Sequence, residues 1–267
     1  MLDNLPTMKA LSEIVNLTAY PLADRDFRLH CKTQLDAEGA LVLANFLTPQ
    51  AIAEVKAEGE EKQHLAWFCQ QKHNVFLTPP ASDFALDHPR NREVVSSKGC
   101  ITDDQISAES ALRTLYDAQM FREFLCFVLG EQALYAYADP LSSINLHFAA
   151  AGQELGWHFD NSSFAITLMI QKPQGGGCFE YVKDVRRAEE GEMNFPAVQQ
   201  ILDGQSDPLS LKMDEGTLVL FRGRNSMHRV TPTAGDITRM LVVLAYNGQP
   251  NVSLSESARM TFYGRLT

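Results

Sequence analysis

Two residues of metal-ligating type stand two positions apart in the segment 156–161, which reads Gly-Trp-His-Phe-Asp-Asn. They are His158, which carries an imidazole, and Asp160, which carries a carboxylate. On an extended strand, side chains at positions i and i+2 lie on the same face. If this segment is a strand, His158 and Asp160 can both bind one metal ion.

A third ligand has to come from another strand, and His228 is the candidate. Residues 232–236 form turns readily and are flanked by β-prone residues, which predicts a hairpin. A hairpin centred between Thr233 and Ala234 places Arg239 opposite His228, with their Cβ atoms about 5 Å apart.

Two imidazoles and one carboxylate leave half of an octahedron open, which is the arrangement associated with iron(II) in oxygenases. The planar guanidinium of an arginine beside the open face can bind a carboxylate through two hydrogen bonds. We therefore predict iron(II) bound by His158, Asp160 and His228, and a dicarboxylic cosubstrate held by Arg239. The alternative for Arg239 is a solvated ion pair with Asp236 or Glu215.

This ordered set resembles the signature of the 2-oxoglutarate/iron(II) dioxygenase superfamily. The likeness extends over residues 145–247, including Gly152, the glycines at 175–177 and the segment 215–221 before His228. It implies Fe(II), 2-oxoglutarate and O2 as the reacting cofactors, and hydroxylation of an unactivated C–H bond with release of succinate and CO2.

Within that superfamily, segment 156–161 is similar to a bacterial branch of free-amino-acid hydroxylases and radical halogenases that chlorinate lysine. The halogenases carry glycine in place of the carboxylate ligand, which opens a position for chloride. Because this chain keeps Asp160, the resemblance implies a hydroxylase of a small polar substrate, with a free amino acid as the candidate class. Two alternatives stay open: a hydroxylase of a protein or peptide side chain, and a non-catalytic jelly-roll binding module.

Further polar residues flank the predicted ligands. Asn145 and His147 lie two apart on the preceding strand, where they either help bind the cosubstrate or form a polar pair at the barrel rim. Asn161, Trp157 and Asn247 are candidate substrate-binding residues, although Trp157 alternates with the ligands and packing on the outer face is its alternative.

The elements that must position these residues change character along the chain. Short apolar or alternating runs predict strands at 134–138, 143–149, 164–171, 178–183, 217–221, 227–231 and 239–246. Before them, helical periodicity predicts helices at about 49–71 and 112–128, separated by a long loop at 76–100 that packs over the site. The expected fold is α+β, with a double-stranded β-helix (jelly-roll) core buttressed by N-terminal helices.

Composition sets the boundaries of this prediction. The 267 residues, 45% of them apolar, suit a single domain, with a mainly helical part at 1–133, a core at 134–250 with an insertion at 189–207, and an extension at 251–267. A net charge of -10 argues against nucleic acid as a partner. Residues 1–10 lack a signal-peptide pattern, no apolar stretch suits a membrane span, and five widely spaced cysteines indicate reduced thiols in the cytoplasm. The expected partner is a small molecule, and no residue pattern indicates an oligomeric state.

Overall fold

The structure is a computed structural model, and it describes residues 9–267. Its strands are short and lie mostly in the second half of the chain. They are β1 (Ala40–Leu43), β2 (Trp67–Asn74), β3 (Glu93–Ile101), β4 (Ile144–Ala149), β5 (Leu155–His158), β6 (Ala165–Gln171), β7 (Gly175–Gly176), β8 (Phe179–Val182), β9 (Leu209–Leu211), β10 (Leu218–Phe221), β11 (Met227–Val230), β12 (Thr233–Ala234) and β13 (Arg239–Leu244).

Eleven strands form one sheet that curls into a nearly closed jelly-roll barrel. The strand order is β1-β10-β6-β13-β4-β3-β5-β11-β8-β9, and β2 extends it by pairing with β3. Strands β7 and β12 form a separate two-stranded sheet. The order brings β5 and β11 together as neighbours, so two segments that are distant in sequence meet on one wall of the barrel.

The helices lie mainly before the barrel in sequence. They are α1 (Leu11–Ile14), α2 (Arg25–Glu38), α3 (Pro49–Lys62), α4 (Ala111–Asp117), α5 (Gln119–Leu129), α6 (Phe195–Leu202) and α7 (Glu256–Tyr263). Local sequence sets several of their ends: Thr48 caps α3 through a hydrogen bond from the Ala51 amide, and Gly130 ends α5 in the left-handed conformation, with φ of 78°.

The main core lies between the N-terminal helices and the outer face of the barrel. On β4, Leu146 and Phe148 are completely buried against apolar residues of α4 and α5, such as Leu112 and Phe121. His147 stands between them in the sequence and points to the barrel interior, as strand alternation requires. Packing of the outer face on the helices therefore fixes which side chains face inward, and it confirms the predicted α+β jelly roll.

The predicted strands from residue 143 onward are confirmed, with ends that agree within two residues. The predicted strand at 134–138 is wrong, because Tyr135 makes only an isolated bridge to Asn247. The predicted helix at 49–71 is also wrong beyond Lys62: a 3-10 turn follows at Gln63–Leu65, and β2 begins at Trp67.

The loop predicted at 76–100 is shorter than expected, because its last part is β3. Strands β2 and β3 pair over eight residues, from Trp67 with Cys100 to Asn74 with Glu93. This long-range pairing leaves no trace in local periodicity. Leu65 and Phe68, whose helical spacing suggested a longer helix, are 45% and 49% exposed.

The insertion at 189–207 carries α6, and the extension at 251–267 carries α7, which packs against β2 and β3. No helix in residues 9–267 has the length and apolar character needed to cross a bilayer. The prediction that residues 1–10 are not a signal peptide concerns a segment of which residues 1–8 lie outside the described part of the chain.

Candidate active site

Three segments bring the predicted ligands together. His158 is the last residue of β5 and pairs directly with His228 on β11. Asp160 follows β5, where its backbone amide donates to the Gly223 carbonyl at 3.0 Å, while the amide of Phe159 donates to the Val75 carbonyl at 2.8 Å. The pairing of β5 with β11 thus positions the two histidines, and two backbone hydrogen bonds after β5 position Asp160.

The donor atoms form a compact cluster. One carboxylate oxygen of Asp160, Oδ1, lies 3.4 Å from Nε2 of His228 and 3.8 Å from Nε2 of His158. All three donor atoms lie within 4.8 Å of one another. Within residues 9–267, these are the three side chains of metal-ligating type that come together at such distances. Such spacing suits donors around a single ion, because ligands at about 2.1 Å from a metal stand close to one another.

Both imidazoles are oriented by the chain itself. Nδ1 of His158 lies 2.7 Å from the carbonyl oxygen of Gly156, and Nδ1 of His228 lies 3.0 Å from that of Ser226. A carbonyl can only accept, so each Nδ1 carries a proton, and in the neutral imidazole Nε2 keeps its lone pair. Metal-ligating histidines are held in this way by partners outside the metal site.

The carboxylate of Asp160 lies against Gly223. A Cβ atom added at residue 223 would come 2.6 Å from Asp160 Cγ and 3.0 Å from Cε1 of His228, so only glycine leaves room for the carboxylate. The second oxygen of Asp160, Oδ2, is buried and has no hydrogen-bond partner among residues 9–267. A buried carboxylate oxygen without a donor is costly unless a cation compensates it.

Electrostatics favour the protonation states that metal binding needs. Burial, with the facing His228, lowers the pKa of His158 to about 3, so its imidazole is neutral near neutral pH. Burial alone would raise the pKa of Asp160, but the charge and hydrogen bond of His228 outweigh it and lower this pKa. The cluster therefore presents the carboxylate of Asp160 and the neutral imidazole of His158, and the deprotonated Nε2 of His228 would complete a donor set that fits iron(II).

Arg239 lies inside the barrel beside the cluster. It lines the same cavity of about 270 Å³, here called the inner cavity, as the three predicted ligands. Arg239 is 4% exposed, and its Nε and Nη2 have no hydrogen-bond acceptor in the part of the chain that the structure describes. Its aliphatic part fits beside Gly177, where a Cβ would come 3.0 Å from Cδ. Burial lowers its pKa to about 10, which leaves the guanidinium charged near neutral pH.

The predicted hairpin between His228 and Arg239 is wrong. β11 pairs with β5 and β8, whereas β13 pairs with β4 and β6, so Arg239 faces Ala149 and His228 faces His158. The turn residues Thr233 and Ala234 pair with β7 instead. Both side chains still line the inner cavity, because they point into the barrel from different walls.

The two residues predicted on the preceding strand are placed differently. His147 lines the inner cavity, where burial and the charges of Lys98 and Arg239 hold its pKa well below its usual value. Asn145 does not line this cavity: its amide donates to the carbonyls of Leu141 and Ile144, and its oxygen accepts from the Tyr263 hydroxyl at 2.9 Å.

The predicted substrate-binding residues are not brought together. The Trp157 side chain packs in a separate apolar cluster with Phe76 and Phe159, under the guanidinium of Arg229 at 4.8 Å. Asn161 is exposed and lines a polar cavity near Glu93, while the backbone of Asn247 pairs with that of Tyr135.

A second cavity of about 210 Å³, here called the mouth cavity, adjoins the cluster on the other side. It shares His158, Asp160, Leu155 and Lys98 with the inner cavity and is otherwise lined by Cys69, Gln71, His73, Leu77, Ser96 and Phe262. Most of these residues come from β2 and β3. Sequence reasoning missed them because it assigned this region to a helix and a loop, and the alternation of β2 would have been the signal.

A family model described as Halogenase D matches residues 23–261. No curated protein sequence matches the chain. Among solved structures, an oxidoreductase of the 2OG-Fe(II) oxygenase family from Burkholderia pseudomallei is 11% identical with a TM-score of 0.54, and the alignment covers 85% of this chain and 93% of that one.

Two further structures have the same fold. The epimerase SnoN, solved with Fe3+, alpha ketoglutarate and nogalamycin RO, is 11% identical with a TM-score of 0.56, covering 84% of each chain. A prolyl-4-hydroxylase from Pseudomonas putida is 15% identical with a TM-score of 0.52, covering 81% of this chain and 96% of that one. At these identities the likeness establishes the fold alone.

Proposed function

Because the chain belongs to the Halogenase D family and has the 2OG-Fe(II) oxygenase fold, we propose that it is an iron(II)- and 2-oxoglutarate-dependent hydroxylase. Its substrate is a small polar molecule, with a free amino acid as the candidate class. The reaction inserts one oxygen atom of O2 into an unactivated C–H bond and releases succinate and CO2.

The observation that carries this proposal is the complete His158, Asp160 and His228 donor set. A halogenase of this kind has glycine at the carboxylate position, which leaves a site for chloride. Here the carboxylate is present, it faces both imidazoles, and Gly223 leaves room for it. The family description alone would favour halogenation, and Asp160 is the reason we propose hydroxylation.

Iron, when bound with 2-oxoglutarate and O2, supplies the oxidising chemistry. The three ligands hold it, and the hydrogen bonds from Nδ1 to the Gly156 and Ser226 carbonyls keep both imidazoles in the binding tautomer. Arg239 binds the distal carboxylate of 2-oxoglutarate through its two unpaired nitrogens. Apolar lining residues such as Leu241 and Val243 exclude water from the inner cavity.

The dimensions of the site support a small substrate. The mouth cavity, at about 210 Å³, is smaller than the roughly 300 Å³ at which pockets for drug-sized ligands begin. One fold neighbour is a prolyl hydroxylase bound to a peptide fragment, which keeps a protein side chain as the alternative substrate.

The five unpaired cysteines support our proposal of a cytoplasmic location.

The test is an assay of O2-dependent succinate formation across free amino acids, with iron(II), 2-oxoglutarate and chloride present. We expect one or more amino acids to stimulate succinate release, and mass spectrometry of the product to show an added oxygen atom. His228→Ala should abolish the stimulated release. A chlorinated product would contradict hydroxylation, and stimulation only by peptides would favour the alternative substrate class.

A further inference from the structure

Lys98 on β3 lies between the two cavities beside the metal cluster. Its side chain lines both the inner and the mouth cavity. Nζ lies 3.3 Å from each ring nitrogen of His147 and 5.7 Å from the ring centroid of Phe262. Within residues 9–267, no carboxylate oxygen comes within ion-pair distance of this ammonium group.

The polar contacts of Lys98 leave most of its hydrogen-bonding capacity unused. An ammonium group has three donors, and a neutral imidazole offers one acceptor. His147 is neutral because burial and the neighbouring cations Lys98 and Arg239 hold its pKa well below the usual value. Lys98 therefore has two free donors. Burial lowers its pKa, because an unpaired cation is costly in a water-poor site, and the charge of Asp160 acts in the opposite direction.

Charge counting indicates what the missing partner is. Arg239 would bind the distal carboxylate of 2-oxoglutarate, as proposed above. When a divalent metal, Asp160, Arg239, Lys98 and the dianionic cosubstrate are considered together, one positive charge is left without compensation. A carboxylate of the substrate can compensate that charge locally, and Lys98 is the cation not already assigned.

The remaining lining of the mouth cavity offers no competing anion site. Both ring nitrogens of His73 have partners, with Nε2 at 2.7 Å from Ser96 Oγ and Nδ1 at 3.0 Å from the Asn74 carbonyl. Leu77, Leu155 and Phe262 are apolar. A ligand that fills this cavity thus meets one cation, Lys98, together with these apolar side chains and the amide of Gln71.

We propose that Lys98 binds a carboxylate of the substrate, and that the substrate is a small molecule seated in the mouth cavity with that carboxylate, such as the carboxylate of a free amino acid, on Lys98. This inference rests on the proposed function, since it assigns Arg239 to the cosubstrate. It makes Lys98 a specificity-determining residue, because a neutral analogue of the substrate leaves the ammonium group buried without a partner.

The experiment measures binding of pentanoate and of its neutral amide, pentanamide, by ligand-observed NMR to protein saturated with Mn(II) and 2-oxoglutarate. Lys98→Met keeps the length of the side chain and removes its charge, and Lys98→Arg keeps the charge. Lys72→Met, on the exposed side of β2, is the matched control. We expect Lys98→Met to weaken pentanoate binding roughly ten- to a hundred-fold, with little change for Lys72→Met or in the affinity for 2-oxoglutarate.

Several results would overturn the inference. They are absence of pentanoate binding to the wild type, equal binding of pentanoate and pentanamide, or equal pentanoate binding by Lys98→Met in protein that melts like the wild type. A loss of 2-oxoglutarate affinity in Lys98→Met would assign the residue to the cosubstrate instead. If the proposed function is wrong, the wild-type protein will bind neither Mn(II) nor 2-oxoglutarate. In that case, a comparison of pentanoate binding by metal-free wild type and metal-free Lys98→Met decides the role of Lys98.

Discussion

Replacing Arg239 by Met separates a binding role from a structural one. In the structure this guanidinium is 4% exposed, and its Nε and Nη2 have no acceptor, so the ligand-free protein gains no ion pair from it. Two charge-assisted hydrogen bonds to a carboxylate are each worth about 1.5 kcal/mol at the low end. Arg239→Met should therefore weaken 2-oxoglutarate binding by about 3 kcal/mol, roughly a hundred-fold.

The same substitution should not destabilise the ligand-free protein. Met fills similar volume and removes a buried cation that lacks a counterion, so the free energy of unfolding should rise or change by less than about 1 kcal/mol. Titration calorimetry of Mn(II)-loaded protein with 2-oxoglutarate measures the first effect, and urea unfolding of metal-free protein the second. Arg222→Met is the matched control, because Arg222 pairs with Asp36 outside the site.

The reasoning would be refuted by Arg239→Met protein that binds 2-oxoglutarate within two-fold of wild type. It would also fail if the variant lost stability without ligand and kept its affinity, since Arg239 would then be a packing residue. Arg239→Lys should fall between the two, because an ammonium group keeps the charge but not the planar fork.

Three other substitutions test separate parts of the site. Gly223→Ala should lower iron(II) affinity, because the added Cβ meets the Asp160 carboxylate, whereas Gly175→Ala, which has room at 3.6 Å, should not; equal affinities in equilibrium dialysis would contradict this. His147 stays neutral in the folded protein but takes a proton below about pH 6.5 in the unfolded chain. Below that pH, the free energy of unfolding of metal-free wild type should therefore fall by up to about 1.4 kcal/mol per pH unit more than that of His147→Gln. Urea unfolding at several pH values measures this, and an equal pH dependence in the two proteins would disprove it. Trp157→Phe should lower the melting temperature through lost packing with Arg229 and leave the KM for substrate unchanged; a raised KM would restore Trp157 as a substrate residue.

The sequence predicted which residues come together in the site better than it predicted how the strands that carry them are paired. The i, i+2 spacing of His158 and Asp160 and the short runs after residue 143 carry local information, and the barrel strands appear where those runs predict them. Which strands pair with β11 depends on the topology of the barrel and not on the local sequence. A turn-rich segment suggested a hairpin to β13, whereas the chain crosses to another wall of the barrel, and no local pattern reports such a crossing.

The mouth of the site was missed for a related reason. β2 and β3 stabilise each other through pairing across the loop between them, and the apolar spacing around Leu65 and Phe68 is equally typical of a helix. With that segment taken as helix, Lys98 had no predicted neighbours. Its position beside His147 emerges only from the pairing of β3 with β4, where Cys100 faces His147.

His158, Asp160 and His228 are the residues that would hold iron(II) in a 2-oxoglutarate-dependent enzyme. The most direct measurement is an anaerobic titration of iron(II)-loaded protein with 2-oxoglutarate, followed by visible absorption. We predict a weak charge-transfer band that saturates at one equivalent per chain in the wild type and is absent in His228→Ala. No bound iron and no band in the wild type would contradict the assignment of this cluster as the metal centre.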